Sequence, residues 1–173
     1  MTTAGKYRSQ NTVRAEPVEA ALRQAQGERT SRIFSWPVRV YWEDTDAGGI
    51  VFYANYLKFF ERARTEWLRS LGVEQRSLRD TAGGMFIVGE THVRYHRPAR
   101  LDDELIVTAA IQQAGRASLI IAQQAFLKSE DRIAGQARSD GLLCEGTIRI
   151  GWVDAASLKP ARIPPTILEA LNR

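Results

Sequence analysis

Hydrophobic residues follow two different periods along the chain, and the periods predict the order of its elements. In FSWPVRVYW, Val38, Val40 and Trp42 alternate with Arg39 and other polar positions, which is typical of a half-buried strand. Further on, apolar residues recur every three or four positions, which predicts one buried face of an amphipathic helix. That face consists of Tyr56, Phe59, Phe60, Ala63 and Trp67. Gly72, just past Leu71, predicts the end of this helix.

From residue 86 onward the period returns to two, and four more strands are predicted. The first ends at Val93 and Tyr95, and the others lie in ELIVTAAIQQ, RASLIIAQQAFL and LLCEGTIRIGWV. The final TILEALNR predicts a short terminal helix after a proline-rich extended stretch. A single strongly amphipathic helix and short connections between strands favour an antiparallel sheet that wraps around the helix. The predicted fold class is α+β, with about five mostly antiparallel strands and one long central helix.

The first 32 residues differ from the rest in composition. They contain few large apolar groups and can bury little surface. PVEAALRQAQGER has helix-forming residues, but an isolated helix of this length is marginal. We expect residues 1–32 to be a disordered or loosely attached extension, and residues 33–173 to form one domain, in keeping with a length of 173 residues.

The formal charge of +4 is concentrated in the same extension. Residues 1–32 hold six Lys or Arg against three Glu, a net of +3, which leaves +1 for the remaining 141 residues. That part of the chain carries no zinc-ligand spacing and no sustained basic helix. Nucleic acid is therefore not an expected partner.

One cysteine and the absence of long apolar runs bear on localisation. Cys144 alone cannot form an intramolecular disulfide, and its place in an alternating strand predicts a packed structural thiol. Runs such as SLIIA are far shorter than the ~18–20 residues of a membrane span, and the N-terminus lacks the apolar core of a secretory signal. We expect a soluble cytoplasmic protein.

The stretch EDTDAGGIVFYANY, residues 43–56, carries the candidate chemistry. Gly48 and Gly49 allow a tight turn and leave room for a close approach, and the following helix start offers free N–H groups and a positive dipole end. Asp46 lies just before this donor site. A carboxylate beside such donors can attack a thioester carbonyl or activate water. The spacing fits a purely structural acidic turn as well, so the residues alone leave both interpretations open.

A longer match favours the catalytic interpretation. VRVYWEDTDAGGIVFYANYLKFFERARTEWLRSLG resembles the first strand and central helix of hotdog-fold acyl-CoA thioesterases. It is most similar to the Tol–Pal-associated, YbgC-type branch of the 4-hydroxybenzoyl-CoA thioesterase family. RYHRPARLDD and the closing GWVD and LKPARIP are similar to that branch too. The resemblance covers about residues 34–165.

The resemblance implies roles for particular residues. Asp46 is implied to be the catalytic carboxylate, and the backbone N–H of Tyr53 to polarise the thioester carbonyl. Gly49, Arg116 and Ser118 are implied to lie against the substrate, the last two near coenzyme A phosphates, although Arg116 also fits an ordinary surface residue at a strand start. No metal and no redox cofactor are implied.

The resemblance also implies partners. The substrate is acyl-CoA, and the assembly is a homodimer joined edge to edge, often paired into a tetramer, with each site at a subunit boundary. Acyl carrier protein or Tol–Pal-linked membrane machinery are further implied partners. The sequence leaves open which acyl group is hydrolysed, and whether Asp46 acts as nucleophile or general base.

Four other polar residues have structural interpretations beside functional ones. Asp44 fits a turn residue that bonds to nearby backbone, although it is also a second candidate carboxylate. Glu61 fits a solvated or ion-paired helix residue near Lys58 rather than a second acid at the site. His92 and His96 lie two apart on a strand, but a third metal ligand at suitable spacing is missing.

Two other functions remain as alternatives. A non-catalytic protein that binds acyl-CoA or acyl carrier protein as a scaffold would use the same groove, but it would have no need of Asp46. A hotdog hydratase is weaker still, because no paired Asp and His suited to dehydration is found. We expect a thioester hydrolase that converts acyl-CoA and water to free acid and coenzyme A.

Overall fold

A computed structural model describes residues 33–128 and 141–171 of the chain. The predicted extension at residues 1–32 lies outside these residues. Within the described part there are five strands: β1 Phe34–Arg39, β2 Gly84–Tyr95, β3 Glu104–Ala114, β4 Ser118–Leu127 and β5 Leu142–Asp154. Its α-helices are α1 Asn55–Ser70, α2 Gln75–Ala82 and α3 Pro165–Leu171, and a 3₁₀ turn spans Trp42–Asp44.

The strands form one antiparallel sheet in the order β1-β3-β4-β5-β2. Val38 pairs with Leu105 at one edge, and Tyr95 pairs with Cys144 near the other. The α+β class and the five-stranded antiparallel sheet predicted from the pattern are therefore confirmed. Strands β1 and β2 are the two edges of the sheet within this chain.

Helix α1 buries the face that the sequence predicted, against the inner face of the sheet. Its five predicted apolar residues are all buried in one core cluster with Val107, Ile121 and Ile148 of the strands. The helix ends where predicted: the N–H of Leu71 bonds back to the carbonyl of Trp67, and Gly72 follows with a φ of +75°. A left-handed residue at this position is accessible to glycine without strain.

Two details of the sequence interpretation were wrong. Strand β1 ends at Arg39, and Trp42 lies in the 3₁₀ turn with 78% of its surface exposed, because the chain leaves the sheet before the alternation reaches it. The long helix is also followed by α2, which was not predicted. Only Leu78 of α2 is buried, so the segment carries almost no apolar period.

The C-terminal segment and the cysteine behave as predicted. Helix α3 begins at Pro165, where a missing N–H costs nothing, and Ile167 anchors it in the core. Cys144 is fully buried, and that burial, followed by the nearby Glu145 charge, raises the pKa of its thiol to about 12. None of the helices in residues 33–128 and 141–171 is long and apolar enough to cross a membrane.

Candidate active site

A tight hairpin at residues 44–52 connects the 3₁₀ turn to the region before α1. Phe52 donates its N–H to the Asp44 carbonyl at 2.9 Å, and Asp46 donates to the Ile50 carbonyl at 2.9 Å. The turn is closed by the Gly49 N–H, which bonds to the Asp46 carbonyl at 3.0 Å. Gly49 has a φ of +70°, so the turn needs a residue that adopts the left-handed region cheaply. The two glycines thus set the shape of the segment that carries Asp46.

Asp46 presents its carboxylate at the exposed tip of this hairpin. Its Oδ1 accepts the Gly48 N–H at 2.8 Å, which is the geometry of an Asx turn. Oδ2 has no hydrogen-bond partner among the residues that the structure describes. One oxygen is therefore held by the backbone while the other is available to a substrate or a water molecule.

Tyr53 lies between the hairpin and the helix, two residues before the first residue of α1. Helix α1 begins at Asn55 with Ala54 as its N-cap, because the Asn55 N–H first closes a turn onto the Phe52 carbonyl at 2.8 Å. Tyr53 is the second residue of that turn, and its N–H finds no acceptor in residues 33–128 and 141–171. A free donor thus lies at the positive end of a helix of 16 residues.

The ring of Tyr53 is 61% exposed and belongs to an aromatic group. It lies 4.5 Å from the Phe52 ring and 6.2 Å edge-on from the Tyr95 ring, measured between centroids. Tyr95 in turn contacts Tyr56 of the helix core at 5.8 Å. These contacts connect the hairpin end to the last residue of β2.

Asp44 is a turn residue, as predicted, but its complete burial was not foreseen. It is 0% exposed, and its Oδ2 accepts the Tyr41 N–H at 3.0 Å. Its Oδ1 is buried without a hydrogen-bond partner in the described part of the chain. The side chain faces the interior, whereas that of Asp46 faces solvent, so the two carboxylates have different surroundings.

Asn55 is a site residue that the sequence interpretation missed. Its side chain is 7% exposed, and Nδ2 donates to the carbonyls of Asp44 at 3.0 Å and Glu43 at 3.3 Å. The available signal was an Asn at a helix start, where side chains of this type commonly bond to backbone.

Arg116 and Ser118 lie far from Asp46 within one chain. They belong to the turn between β3 and β4, where Gly115 donates to the Ser118 carbonyl at 2.8 Å. Asp46 follows β1, whose last residue Arg39 pairs with Glu104 at the opposite end of β3. The 11 residues of β3 span roughly 33 Å at the usual rise per strand residue. The structure therefore does not bring these predicted substrate contacts together with Asp46 in a single chain.

A groove of about 510 Å³ lies between α1 and strands β2 and β5. Its lining includes Leu57, about one helical turn beyond Tyr53, and Val88 on the edge strand. Arg64 also lines it and donates to the Gln123 side-chain oxygen at 2.6 Å, while burial lowers the pKa of its guanidinium. Glu61 is exposed there, as predicted, and accepts the Thr65 hydroxyl at 2.7 Å.

The two histidines each contact a carboxylate of their own. His92 Nε2 lies 2.9 Å from Glu90, and His96 Nε2 lies 2.9 Å from Glu145. Among the described residues, no group of three or more His, Cys, Asp or Glu side chains could hold a metal ion.

The fold and the hairpin define a class: a small α+β protein with an exposed carboxylate and a free N–H before its central helix. The model of the thioesterase-like superfamily matches residues 40–171. The acyl-CoA thioester hydrolase YbgC of Escherichia coli O6:H1 is 40% identical over 136 residues, 79% of this chain and 93% of its own. The acyl-CoA thioesterase YbgC of Haemophilus influenzae is 37% identical over 139 residues, 80% of this chain and 94% of its own.

A solved structure agrees at the level of the fold. A 1,4-dihydroxy-2-naphthoyl-CoA thioesterase from Synechocystis superposes with a TM-score of 0.69 at 21% identity, covering 81% of this chain and 96% of that one. The chain belongs to the thioesterase-like superfamily. The predicted resemblance to the YbgC-type branch, the hotdog fold and the enzyme class of thioester hydrolase are thereby confirmed.

Proposed function

We propose that the protein hydrolyses acyl-CoA thioesters to the free acid and coenzyme A, using the Asp46 carboxylate and the Tyr53 backbone N–H. The observation that carries this proposal is the hairpin itself. Within the described residues, one short segment at the start of the central helix holds a carboxylate oxygen and a backbone N–H that have no hydrogen-bond partner. Acyl-CoA is the substrate class of the relatives that are 37–40% identical over most of the chain.

Asp46 can act through its free oxygen in either of two ways. As a general base, Oδ2 takes a proton from water while the water oxygen bonds to the thioester carbon. As a nucleophile, the same oxygen attacks that carbon and forms an anhydride, which water then hydrolyses. In both cases the carbon–sulfur bond breaks, and the sulfur leaves as the thiol of coenzyme A after it gains a proton. The Gly48 N–H holds the carboxylate in one orientation for this step.

The Tyr53 N–H donates a hydrogen bond to the carbonyl oxygen of the thioester. Attack converts this oxygen to an alkoxide, and a preorganised donor stabilises the charge more in the transition state than in the substrate. The positive end of α1 adds to that stabilisation. Because only the backbone takes part, the exposed tyrosine ring has no required role in the chemistry. Gly49 contributes by leaving open space, since no atom of the described residues other than its two chain neighbours lies within 4 Å of the position a Cβ would take.

A second copy of the chain would complete the substrate site. Arg116 and Ser118 lie at the far end of β3, so they can contact coenzyme A bound at Asp46 only if another subunit supplies them. Strand β2 supports such an assembly because it is a 12-residue edge with Ile87 and Val88 exposed. The groove that begins at Leu57 and reaches Val88 is the space we assign to the acyl group.

Three expectations from the sequence stay predictions. They are the cytoplasmic location, the homo-oligomeric assembly as a dimer or a tetramer, and the contacts with acyl carrier protein or Tol–Pal-linked machinery.

The release of free thiol from a series of acyl-CoAs tests the proposed activity. The purified protein is offered short, long and aromatic acyl groups, and thiol is followed with a colorimetric reagent. We expect the protein to hydrolyse at least one of these acyl-CoAs with a kcat in the range of ordinary enzymes, about 1 s⁻¹ or more. Binding of acyl-CoA without release from any member would favour the scaffold function instead.

A further inference from the structure

Asn55 is a buried amide that joins the two halves of the active-site hairpin. Its Nδ2 donates to the Asp44 carbonyl at 3.0 Å and to the Glu43 carbonyl at 3.3 Å. The Asp44 carbonyl also accepts the Phe52 N–H at 2.9 Å. Two donors from the end of the segment therefore converge on one carbonyl at its beginning.

Asp46 and Tyr53, which carry the groups proposed to react, lie in the sequence between the residues joined by these contacts. Asp46 follows Asp44 by two residues, and Tyr53 lies between Phe52 and Asn55. Asn55 also donates its backbone N–H to the Phe52 carbonyl at 2.8 Å, which closes the turn around Tyr53. In such a turn the N–H of the second residue takes no part in the closing hydrogen bond. The Asn55 contacts thus constrain where the Tyr53 N–H points.

We propose that Asn55 is a positioning residue for thioester hydrolysis, which fixes the Tyr53 N–H relative to the Asp46 carboxylate by donating to the Glu43 and Asp44 carbonyls. The inference rests on the proposed function. Asn55 is buried and acts through backbone atoms, so it contacts neither the substrate nor the reacting atoms. Asn55 affects the activation barrier of hydrolysis, because a Tyr53 N–H displaced by about 1 Å stabilises the oxyanion of the transition state much less.

The chemistry of the contacts explains the choice of side chain. A primary amide has two N–H donors, and both carbonyls lie within reach of one nitrogen. An ionised Asp has the same shape but can only accept, so it would set a negative charge against two carbonyl oxygens. An Ala removes the donors and leaves two buried carbonyls without this partner.

The test compares variants of the full chain by kcat, KM and melting temperature. Asn55→Ala should lower kcat by about 10–100-fold with KM within about threefold, at a temperature well below its melting point. Leu78→Ala is the control for general destabilisation, because Leu78 is a buried core residue of α2 that does not line the groove or the hairpin. It should lower the melting temperature while kcat stays within about threefold.

Asn55→Asp gives a readout that a purely structural role would not move. Burial raises the pKa of a carboxyl placed there, and its protonated form regains one O–H donor. The ratio of its kcat to that of the parent should therefore rise as the pH falls from 8 to 5.5. If Asn55→Ala fails to fold, Asn55→Ser takes its place, and because it retains one donor its expected kcat loss is smaller, about 10-fold.

Three results separate the outcomes. Parental kcat in Asn55→Ala, with Asp46→Asn inactive, would overturn the positioning role and leave the proposed function standing. An equal kcat loss in Leu78→Ala would attribute the effect to general destabilisation and overturn the inference too. Full activity in Asp46→Asn would instead contradict the proposed function itself.

Discussion

Gly48 donates its backbone N–H to Oδ1 of Asp46 at 2.8 Å, across the tip of the hairpin. This hydrogen bond orients the exposed carboxylate without occupying its second oxygen. The same bond is what an ordinary acidic turn would form, so the structural and the catalytic interpretations of Asp46 share one geometry. A test of function therefore has to remove the basicity of the Asp46 carboxylate while the turn is kept.

Asp46→Asn makes that separation. The amide oxygen of Asn can still accept the Gly48 N–H, so the turn should persist and the melting temperature should stay nearly unchanged. Turnover should fall by at least ~10²–10⁴-fold, because the amide is not basic. Initial rates of thiol release and thermal unfolding measure the two effects.

Asp44→Asn is the control for that experiment. The amide oxygen can still accept the Tyr41 N–H, but the NH2 group then takes the buried place of Oδ1, which has no hydrogen-bond partner among the described residues. The substitution should therefore cost about 1–3 kcal/mol of stability and change kcat less than Asp46→Asn does. An inactive Asp44 variant beside an active Asp46 variant would mean that the wrong carboxylate has been assigned.

The two glycines of the turn should respond differently to alanine. Gly49→Ala places a Cβ at a φ of +70° in open space, so it should lower stability by roughly 1–2 kcal/mol. At Gly48 a Cβ would lie 3.1 Å from Asp46 Oδ1, so Gly48→Ala should displace the carboxylate and lower kcat more than stability. Denaturant unfolding and kcat for both variants check this, and a larger kcat loss in Gly49→Ala would contradict it.

The buried thiol of Cys144 gives a pH prediction. Burial raises its pKa from 9.0 to about 12, so the folded state keeps the proton at a pH where the unfolded state loses it. The stability contributed by this difference is present below pH ~9 and is lost as the pH rises from there toward 12. Unfolding free energies measured between pH 8 and 10.5 should fall more steeply in the parent than in Cys144→Ala. Parallel pH profiles would refute the assignment.

The edge strand β2 should form the interface between subunits. Ile87→Lys places a charge on the exposed edge and should lower both the solution mass and the turnover, since the substrate site is proposed to need two chains. Leu158→Lys, an exposed apolar residue outside the strands, is the control and should keep the parental mass. Light scattering is the measurement. A parent that is a 19.4 kDa monomer would contradict the assembly and the shared site together.

Removal of residues 1–32 should leave a folded and active domain. The segment has few large apolar residues, so the core loses little when it is absent. Solubility, melting temperature and kcat of a chain that starts near Ile33 test this. Loss of most of the turnover would assign the segment a structural or catalytic role.

The apolar period along the chain determined much of this fold, because it reports local backbone geometry and the face that is buried. It identified the stripe from Tyr56 to Trp67, the strands after residue 86 and the end of α1 near Gly72, and all three are present in the structure. The motif around Asp46 identified the family because its residues are adjacent in sequence, and the resemblance rests on their order.

Tertiary contacts decided the rest. The pairing of β1 with β3 and of β2 with β5 joins segments that are distant in sequence, and the alternation within a strand does not specify its neighbour. The same holds for the site: Asn55 contacts Asp44 11 positions away, and Arg116 lies at the opposite end of β3 from the hairpin that carries Asp46. Trp42 continues the alternation of a strand, yet it is exposed because the chain turns to bury Asp44. A local pattern determines which face of an element is apolar, whereas long-range packing determines what that face meets and which polar groups share a site.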